Sequence, residues 1–315
     1  MISLLLWTSL FAVGVLVLVK AADLLVSGGA SLALRFGVPT LIIGMTLISF
    51  GTTLPEMASS INATLKGHTE MAVGNIVGSI IANTLLVLGV SAMIRPMSVK
   101  QSILKKEIPF MLGAMLLLIM ISIDGMIQRW QGVFLLFLLV VYLFYMIQTA
   151  KNSNERSMVL ETGIVKNGGT KIDTVKVIIG VLGIILGAEF MITGAVFYMG
   201  YFGLSEGVIG LSIIALATSL PELATSSVAS VKGEFDISVG NVMGANILNI
   251  LLVIGVCSLM LPLHVSSKMM VDMAIMLGVG LFLAFIVSTG SKISRAEGAI
   301  MVVVYGVFMV YLYLP

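Results

Sequence analysis

The chain has 315 residues, of which 59% are hydrophobic and 10% are charged, and its mean hydropathy is +1.15. Soluble globular domains carry about 25% charged residues, so this composition excludes a soluble fold and predicts an all-α integral membrane protein. The net charge of +2 gives no indication of nucleic-acid binding.

Ten segments are long and apolar enough to be transmembrane helices, which need about 20 residues each. The N-terminus has neither a basic region nor a clear cleavage site, so we interpret it as the first span and not as a signal peptide. The longest polar stretch, 150–174, divides the spans five and five. The predicted spans are 2–20 (continuing, interrupted by polar residues, toward 34), 38–65, 71–94, 105–123, 127–149, 175–200, 206–231, 236–261, 268–288 and 296–314.

The distribution of Lys and Arg predicts the orientation, because cytoplasmic connections are enriched in these residues. With the N-terminus outside, the outer connections hold only Lys66, Arg129 and Lys268. We therefore expect a multi-pass protein of the cell membrane, with both termini extracellular and the 150–174 loop cytoplasmic. The inner connections hold Lys20, Arg35, Arg95, Lys100, Lys105, Lys106, Lys151, Arg156, Lys166, Lys171, Lys176, Lys232, Lys292 and Arg295.

The chain is an internal duplication with an offset of 166 residues. Residues 44–89 align with 210–255 without a gap, with 21 identities in 46 positions, and "ADLLVSG" at 22–28 aligns with "AEFMITG" at 188–194. Because each half has an odd number of spans, the second half must enter the membrane upside down, as in many secondary transporters.

The predicted organisation follows from this duplication. It is a first five-helix repeat, 1–149, a cytoplasmic linker, 150–174, and a second, inverted five-helix repeat, 175–315. The most similar motifs of the two repeats are 44–90 and 210–256.

The strongest candidate site is the pair of motifs "GTTLPE" (51–56) and "ATSLPE" (217–222). Glu56 and Glu222 fall near the middle of their spans, where a carboxylate costs several kcal/mol unless it is paired or hydrated. No Lys or Arg lies at that depth, so a bound cation is the favoured counter-charge; the alternative is a protonated glutamate hydrogen-bonded inside the bundle. Pro55 and Pro221 lack an N–H and release backbone carbonyls, although proline kinks are also commonly structural.

The polar residues near the two glutamates are Thr, Ser and Asn, whose side chains can bind a metal only through oxygen. Taken singly, each is as well explained by interhelical hydrogen bonds. Together with the two acids they form the kind of shell that Ca²⁺ and Na⁺ prefer, whereas zinc or copper would favour His or Cys. They are Thr52, Thr53, Ser79, Asn83, Thr218, Ser219 and Asn249.

These paired motifs, with "GNIVGS" (74–79) and "GNVMGA" (240–245), resemble the α-repeats of the calcium/cation antiporter superfamily, closest to prokaryotic sodium/calcium exchangers. The resemblance covers nearly the whole chain. It implies the sodium/calcium exchanger fold, with ten helices, alternating access and exchange of about three Na⁺ for one Ca²⁺. It also implies that Glu56 and Glu222 are the central Ca²⁺ ligands.

The resemblance assigns further roles to the remaining residues. The carbonyls of Thr52 and Thr218 would assist the two acids, and those of Ser49 and Ala215 are weaker candidates. The residues implied to line the Na⁺ sites and the centre are Thr53, Ser79, Asn83, Ser219 and Asn249.

The chain departs from the family pattern at two positions. Many prokaryotic relatives carry aspartate where this chain has Asn249 and serine where it has Ala245, which puts the Na⁺ stoichiometry and affinity in doubt. Proton-coupled relatives typically carry an acid where this chain has Gly78 and Gly244.

Three other functions were weighed against Na⁺/Ca²⁺ exchange. H⁺/Ca²⁺ exchange by the same fold is the nearest alternative, and a cation channel would lack coupling to a counter-ion. An enzyme is disfavoured, because no nucleophile or His-metal motif accompanies the glutamates, and no Walker motif is present. We expect no cofactor, no obligate protein partner and no large calcium-sensing domain in the 150–174 loop. Asp23 and its mate Glu189 are expected to anchor helices, or to lie on an ion path.

Overall fold

The computed structural model describes residues 2–101, 103–151, 169–201 and 215–312. These residues form long helices joined by short connections, several of which contain two-residue strands. The helices are α1 (Ile2–Phe36), α2 (Thr40–Leu65), α3 (Thr69–Ile94), α4 (Ile103–Glu107 continuing as Ile108–Ile121), α5 (Arg129–Lys151), α6 (Thr170–Tyr201), α7 (Ala215–Thr218 and Leu220–Lys232), α8 (Phe235–Met260), α9 (Ser267–Gly290) and α10 (Arg295–Leu312). The strands are β1 (Met97–Ser98), β2 (Met126–Ile127), β3 (Leu263–His264) and β4 (Lys292–Ile293).

Seven helices within the described ranges, α1, α2, α3, α5, α8, α9 and α10, are long and apolar enough to cross a membrane. The protein is therefore a multi-pass membrane protein, and ten crossings remain a prediction. Of the predicted 150–174 linker, residues 152–168 lie outside the described residues, and α6 already begins at Thr170. Of the predicted span 206–231, residues 206–214 likewise lie outside them.

Helix α1 corrects one detail of the predicted orientation. It runs without interruption from Ile2 to Phe36, so Lys20 lies inside a helix and not in a connection. The helix persists because its small residues allow α6 to pack closely: a Cβ on Gly28 would lie 2.9 Å from the Asp173 carbonyl oxygen. Arg35 Nε then donates to Asp173 Oδ2 at 2.6 Å, which fixes the end of α1 against the start of α6.

The two halves are related throughout by the 166-residue offset. Strand β1 pairs with β4, and their mates β3 and β2 pair with each other, both antiparallel. Gly89 of α3 packs against Gly298 of α10, and their mates Gly255 and Gly132 pack against each other between α8 and α5. The duplication therefore extends beyond the segments whose sequence similarity is visible.

The most buried helices are those that carry the motifs shared by the two halves. The most apolar stretches of α3 and α8 are 78% and 83% buried inside the protein, compared with 22% in α5 and α10. Helices α5 and α10 expose large apolar side chains such as Phe137 and Val303, as expected for surfaces that face lipid. The centre of the bundle is consequently formed by α2, α3, α7 and α8.

Candidate cation-binding site

Helices α2 and α7 bring the two glutamates together at the centre of the bundle. Glu56 and Glu222 both have 0% of their surface exposed. The two carboxyls are close enough to interact electrostatically, and the Thr52 and Thr53 hydroxyls of the opposite half lie near Glu222 without forming a hydrogen bond to it. The two inverted motifs therefore face each other, as the duplication predicts.

The prolines act differently in the two halves. Helix α2 continues through Pro55, whereas α7 is interrupted at Ser219 and begins again at Leu220, immediately before Pro221. In both halves the proline has no N–H for the carbonyl four residues earlier, which belongs to Gly51 or Ala217. Each motif thus places a released carbonyl within two turns of its glutamate.

Helices α3 and α8 add an asparagine each, at matching irregularities. Asn83 begins a π-helical turn, Asn83–Val87, and its mate Asn249 begins another, Asn249–Ile254. Short π-helical segments inside α-helices are often found at functional sites. Helix α8 approaches α2 closely because Gly244 has no side chain: a Cβ there would overlap Met45 O and Ser49 Oγ.

A symmetric set of hydrogen bonds joins the halves around the glutamates. Thr52 Oγ1 donates to Asn241 Oδ1 at 3.1 Å, and its mate Thr218 Oγ1 donates to Asn75 Oδ1 at 3.3 Å. The amide groups of the same asparagines donate to Ser226 Oγ (3.1 Å) and Ser60 Oγ (3.0 Å). The two threonine bonds cross between the repeats and the two serine bonds join neighbouring helices within a repeat, so together they position both motifs relative to each other.

Asn75 and Asn241 are not among the candidate residues that the sequence indicates. Their identity at the 166-residue offset, in "VGN", is the signal that could have identified them. The bonds also occupy the Thr52 and Thr218 hydroxyls, so these residues have their carbonyls left to offer a cation.

Six of the predicted site residues have buried polar atoms with no hydrogen-bond partner among the described residues; we call these open atoms. Buried polar groups are nearly always hydrogen-bonded, and an unpaired one costs about 1–3 kcal/mol, so a cluster of them indicates a missing ligand. The open atoms are Thr53 Oγ1, both carboxyl oxygens of Glu56 and of Glu222, both amide atoms of Asn83 and of Asn249, and Ser219 Oγ.

The remaining predicted residues are placed at the same centre but are already engaged. Ser79 Oγ lies 3.5 Å from Thr218 Oγ1. The carbonyls of Ser49 and Ala215 each lie 3.2 Å from the hydroxyl of the threonine three residues later, where they compete with the asparagines for its single proton. Ala245, the mate of Ser79, is fully buried and contributes no hydroxyl.

The charges around this centre leave the two carboxyls without a protein counter-ion. None of the ion pairs between described residues, such as Lys100–Asp236 and Lys232–Asp23, involves Glu56 or Glu222. Asp23 is half exposed in its pair with Lys232 (2.8 Å), which favours the anchoring interpretation for this residue. Glu189 is exposed as well.

The ligand types match a hard cation. Within the described ranges, no three His, Cys, Asp or Glu side chains come together, so the centre combines two carboxyls with neutral oxygens. Ca²⁺ takes six to eight such oxygens in flexible geometry. The open oxygens, with the released carbonyls, are suited to a shell of this size.

Comparisons with known proteins agree with this geometry. The sequence profile of the family described as "Sodium/calcium exchanger protein" matches residues 6–148 and 173–314. The chain is 36% identical to the inner membrane protein YrbG of Escherichia coli, with 82% of this chain and 81% of that protein covered. It is 28% identical to the sodium/calcium exchanger MaX1 of Methanosarcina acetivorans, with 95% and 96% covered.

Solved structures agree as well. A structure of the sodium-calcium exchanger NCX_Mj, soaked with Na⁺ and Sr²⁺, superposes with a TM-score of 0.86 at 31% identity, covering 99% of this chain and 100% of that one. The fold predicted from the sequence is thereby confirmed. The family and the structural neighbours are transporters and not enzymes, as expected. The chain belongs to the sodium/calcium exchanger family.

Proposed function

We propose that the chain is a secondary antiporter that exchanges Na⁺ for Ca²⁺ by alternating access. The observation that carries this proposal is the pair of buried, facing carboxyls whose oxygens are all open. Two negative charges balance one Ca²⁺, and the same oxygens divided among several Na⁺ make the binding of the two ions mutually exclusive. Competition of this kind is what couples two ions to one carrier.

The roles of the residues follow from their chemistry. Glu56 and Glu222 bind Ca²⁺ directly, with the Thr52 and Thr218 carbonyls beside them. The hydroxyls of Thr53 and Ser219 and the amide oxygens of Asn83 and Asn249 complete the sites that Na⁺ occupies. Ser79 contributes its hydroxyl in one half, while Ser49 and Ala215 offer carbonyls at the margin.

Charge bookkeeping predicts that the exchange is electrogenic. With both glutamates ionised, the Ca²⁺-loaded centre is neutral, and a centre holding about three Na⁺ carries one positive charge. The charge would then move with the Na⁺-loaded form. Because residue 249 is Asn, the centre has two carboxylates; a third acid at this position would lower the net charge of each loaded form by one.

Na⁺ is a better counter-ion than H⁺ in this account. Proton-coupled relatives typically carry an acid at the position of Gly244, and here a Cβ alone would overlap Met45 and Ser49. An acidic side chain would fit only if α2 and α8 moved apart. H⁺/Ca²⁺ exchange is therefore the outcome that the tests below must separate from Na⁺/Ca²⁺ exchange.

We also propose that the 150–174 loop and the inner connections are cytoplasmic, with both termini outside. The pairing of β1 with β4 puts on one side two connections that the Lys and Arg count assigns to the same side, and the count itself favours the inner side. The thiol introduced by Ser153→Cys should not be labelled by an impermeant thiol reagent applied to intact cells. Ready labelling would reverse the orientation.

Neutralising either central carboxyl tests the proposed site. Glu56→Gln and Glu222→Gln should each abolish Ca²⁺ transport in liposomes, because a neutral amide replaces half of the charge that balances Ca²⁺. Glu70→Gln is a matched control, since Glu70 is about half exposed at the start of α3, and it should retain transport. Near-normal coupled flux in either central variant, with the proteins folded, would rule out the proposed site.

A further inference from the structure

A second buried polar cluster lies to one side of the central carboxyls, between α3, α4, α5 and α8. We call it the lateral cluster, and it consists of Thr84, Glu107, Tyr142 and Asn246. Glu107 is 4% exposed and the other three side chains are fully buried. The proposed exchange mechanism uses none of these four side chains.

The lateral cluster is held together across four helices. Glu107, Phe110 and Met111 share one face of α4, because residues three and four apart are neighbours on a helix. Phe110 stacks on Tyr142 with ring centroids 5.0 Å apart, and Met111 Sδ lies 3.5 Å from Asn246 Nδ2. Glu107 and Tyr142 are also close enough to interact electrostatically.

The contact with the centre runs through Thr84. Asn246 Nδ2 donates to Thr84 Oγ1 at 3.0 Å, and Thr84 itself donates to Ile80 O at 2.8 Å. Thr84 follows Asn83, so one hydrogen bond and one peptide unit separate the lateral cluster from the central site.

The place that the 166-residue repeat relates to the lateral cluster is filled with apolar side chains. The residues 166 positions away from Thr84, Glu107, Tyr142 and Asn246 are Ile250, Met273, Phe308 and Ile80, and all four are buried. The repeat fold is therefore satisfied by apolar packing here. Three of the four polar groups belong to the first half and Asn246 to the second, and the repeat fold alone does not explain them.

Three atoms of the lateral cluster are open: Glu107 Oε2, Tyr142 Oη and Asn246 Oδ1. If Glu107 is ionised, a buried charge is left with no ion-pair partner, since none of the ion pairs in the described part of the chain involves Glu107. One carboxyl and two neutral oxygens are too few for Ca²⁺, which takes six to eight oxygens. The missing ligand therefore carries a single positive charge.

We propose that the lateral cluster is a proton-binding site in which Glu107 carries the proton. Protonation removes the buried charge and gives the cluster a second O–H donor beside that of Tyr142. The proton is taken from water and returned to it, and no other bond forms or breaks.

The charged neighbours allow this assignment. Among the described residues, the ionisable groups that act on Glu107 or Tyr142 are Lys106 and Tyr145. Helix α8 brings only Asn246 to this level; its ionisable residues, Asp236 and Cys257, lie toward its two ends.

The other two neighbouring helices bring no charge to this level either. Helix α9 meets α4 at Gly280, beside Leu112 and Met115, and its ionisable residues Lys268 and Asp272 lie in its first turns. Helix α3 carries a single ionisable residue, Glu70, in its first turn.

Infrared difference spectroscopy of the full-length protein tests this proposal directly. The background variant carries Glu56→Gln and Glu222→Gln, so that the central carboxyls do not contribute and failure of the proposed transport function leaves the test intact. At neutral pH this protein should show the C=O band of a protonated buried carboxyl, and adding Glu107→Gln should abolish that band. Glu70→Gln, which removes a half-exposed carboxyl, is the control and should leave the band unchanged.

A conservative variant keeps the test decisive if Glu107→Gln does not fold. Tyr142→Phe removes one hydrogen-bond donor and should shift the Glu107 band to higher frequency. The proposal is wrong if Glu107→Gln loses no band or if Tyr142→Phe leaves the band in place. It is also wrong if Na⁺ added at constant pH removes the band, since the cluster would then bind Na⁺.

Discussion

The two repeats are nearly identical where α2 meets α8 and α7 meets α3, and they differ one helix further out. At the centre, the bonds Thr52–Asn241 and Thr218–Asn75 are mates, as are Asn75–Ser60 and Asn241–Ser226. In the flanking region, the residues equivalent to the lateral cluster in the repeat are all apolar. Both regions join the two halves, so contact between the halves is not by itself what preserves the symmetry; the matching polar residues are retained around the two central carboxyls and are lost one helix further out.

Smaller differences occur within the centre itself. Helix α2 is continuous at Pro55 whereas α7 is interrupted at Ser219, and Ala245 stands where the other half has Ser79. In an alternating-access carrier, two inverted halves exchange roles between the inward-open and outward-open forms. Differences at the centre are therefore places where the two directions of transport can become unequal.

The largest expected effect concerns the close approach of α8 to α2. In Gly244→Ala the new Cβ would overlap Met45 O and Ser49 Oγ, so the helices must separate, at a cost of about 1–3 kcal/mol. Thermal unfolding of the purified protein should show a clearly lower midpoint. Gly278→Ala is the control, because its Cβ would meet nothing within 4 Å among the described residues. Equal midpoints for the two variants would contradict the account.

The symmetric hydrogen bonds predict equal effects in the two halves. Asn75→Leu and Asn241→Leu each remove the same two interhelical bonds, Asn75→Leu also removes a long one to Glu56 O (3.5 Å), and each should destabilise the protein by about 1–3 kcal/mol. Thermal unfolding midpoints of both variants check this prediction. A large loss in one variant with none in the other would show that the halves are not mechanically equivalent.

Asn249→Asp tests the missing third charge. The open amide atoms of Asn249 become a carboxylate at nearly the same place, so the variant should fold normally and change its ion selectivity or stoichiometry. The Na⁺ dependence and charge per Ca²⁺, measured in liposomes, are the readouts. Asn83→Asp, its mate, is the matched comparison. Unchanged ion dependence in Asn249→Asp would refute the idea that this position sets the charge of the centre.

The smallest expected effect is that of Ala245→Ser, which restores the hydroxyl that Ser79 provides in the other half. We expect a modest increase in apparent Na⁺ affinity and little change in the free energy of unfolding. The Na⁺ concentration that half-inhibits Ca²⁺ uptake checks this. A large loss of transport would mean that the centre has no space for the additional oxygen.

Much of the fold could be predicted, because bilayer thickness and the 166-residue repeat constrain it strongly. Both features are properties of sequence periodicity and composition. The continuity of α1 through Lys20 could not be predicted, since it depends on how closely Gly28 and its neighbours allow α6 to approach. The β1–β4 and β2–β3 pairs are two residues each and have no sequence signal of their own.

The candidate site could be predicted as a set of residues but not as a geometry. A mid-membrane acid beside a proline is visible in the sequence, and the structure places Glu56 and Glu222 together and buried. The hydrogen-bonding role of Asn75 and Asn241 was missed, because an asparagine's partner across the bundle depends on helix rotation. Glu107 was missed since it follows two lysines and reads as a helix end at the membrane surface.

The most direct test of the central claim is Ca²⁺ uptake by the purified protein in liposomes loaded with Na⁺. The account predicts uptake only under an outward Na⁺ gradient, with no uptake under matched K⁺, choline or proton gradients. It also predicts faster uptake when the interior is made electrically positive, because the Na⁺-loaded form carries the charge outward. Uptake driven by a proton gradient alone, or Ca²⁺ flux that needs no counter-ion, would contradict Na⁺/Ca²⁺ exchange.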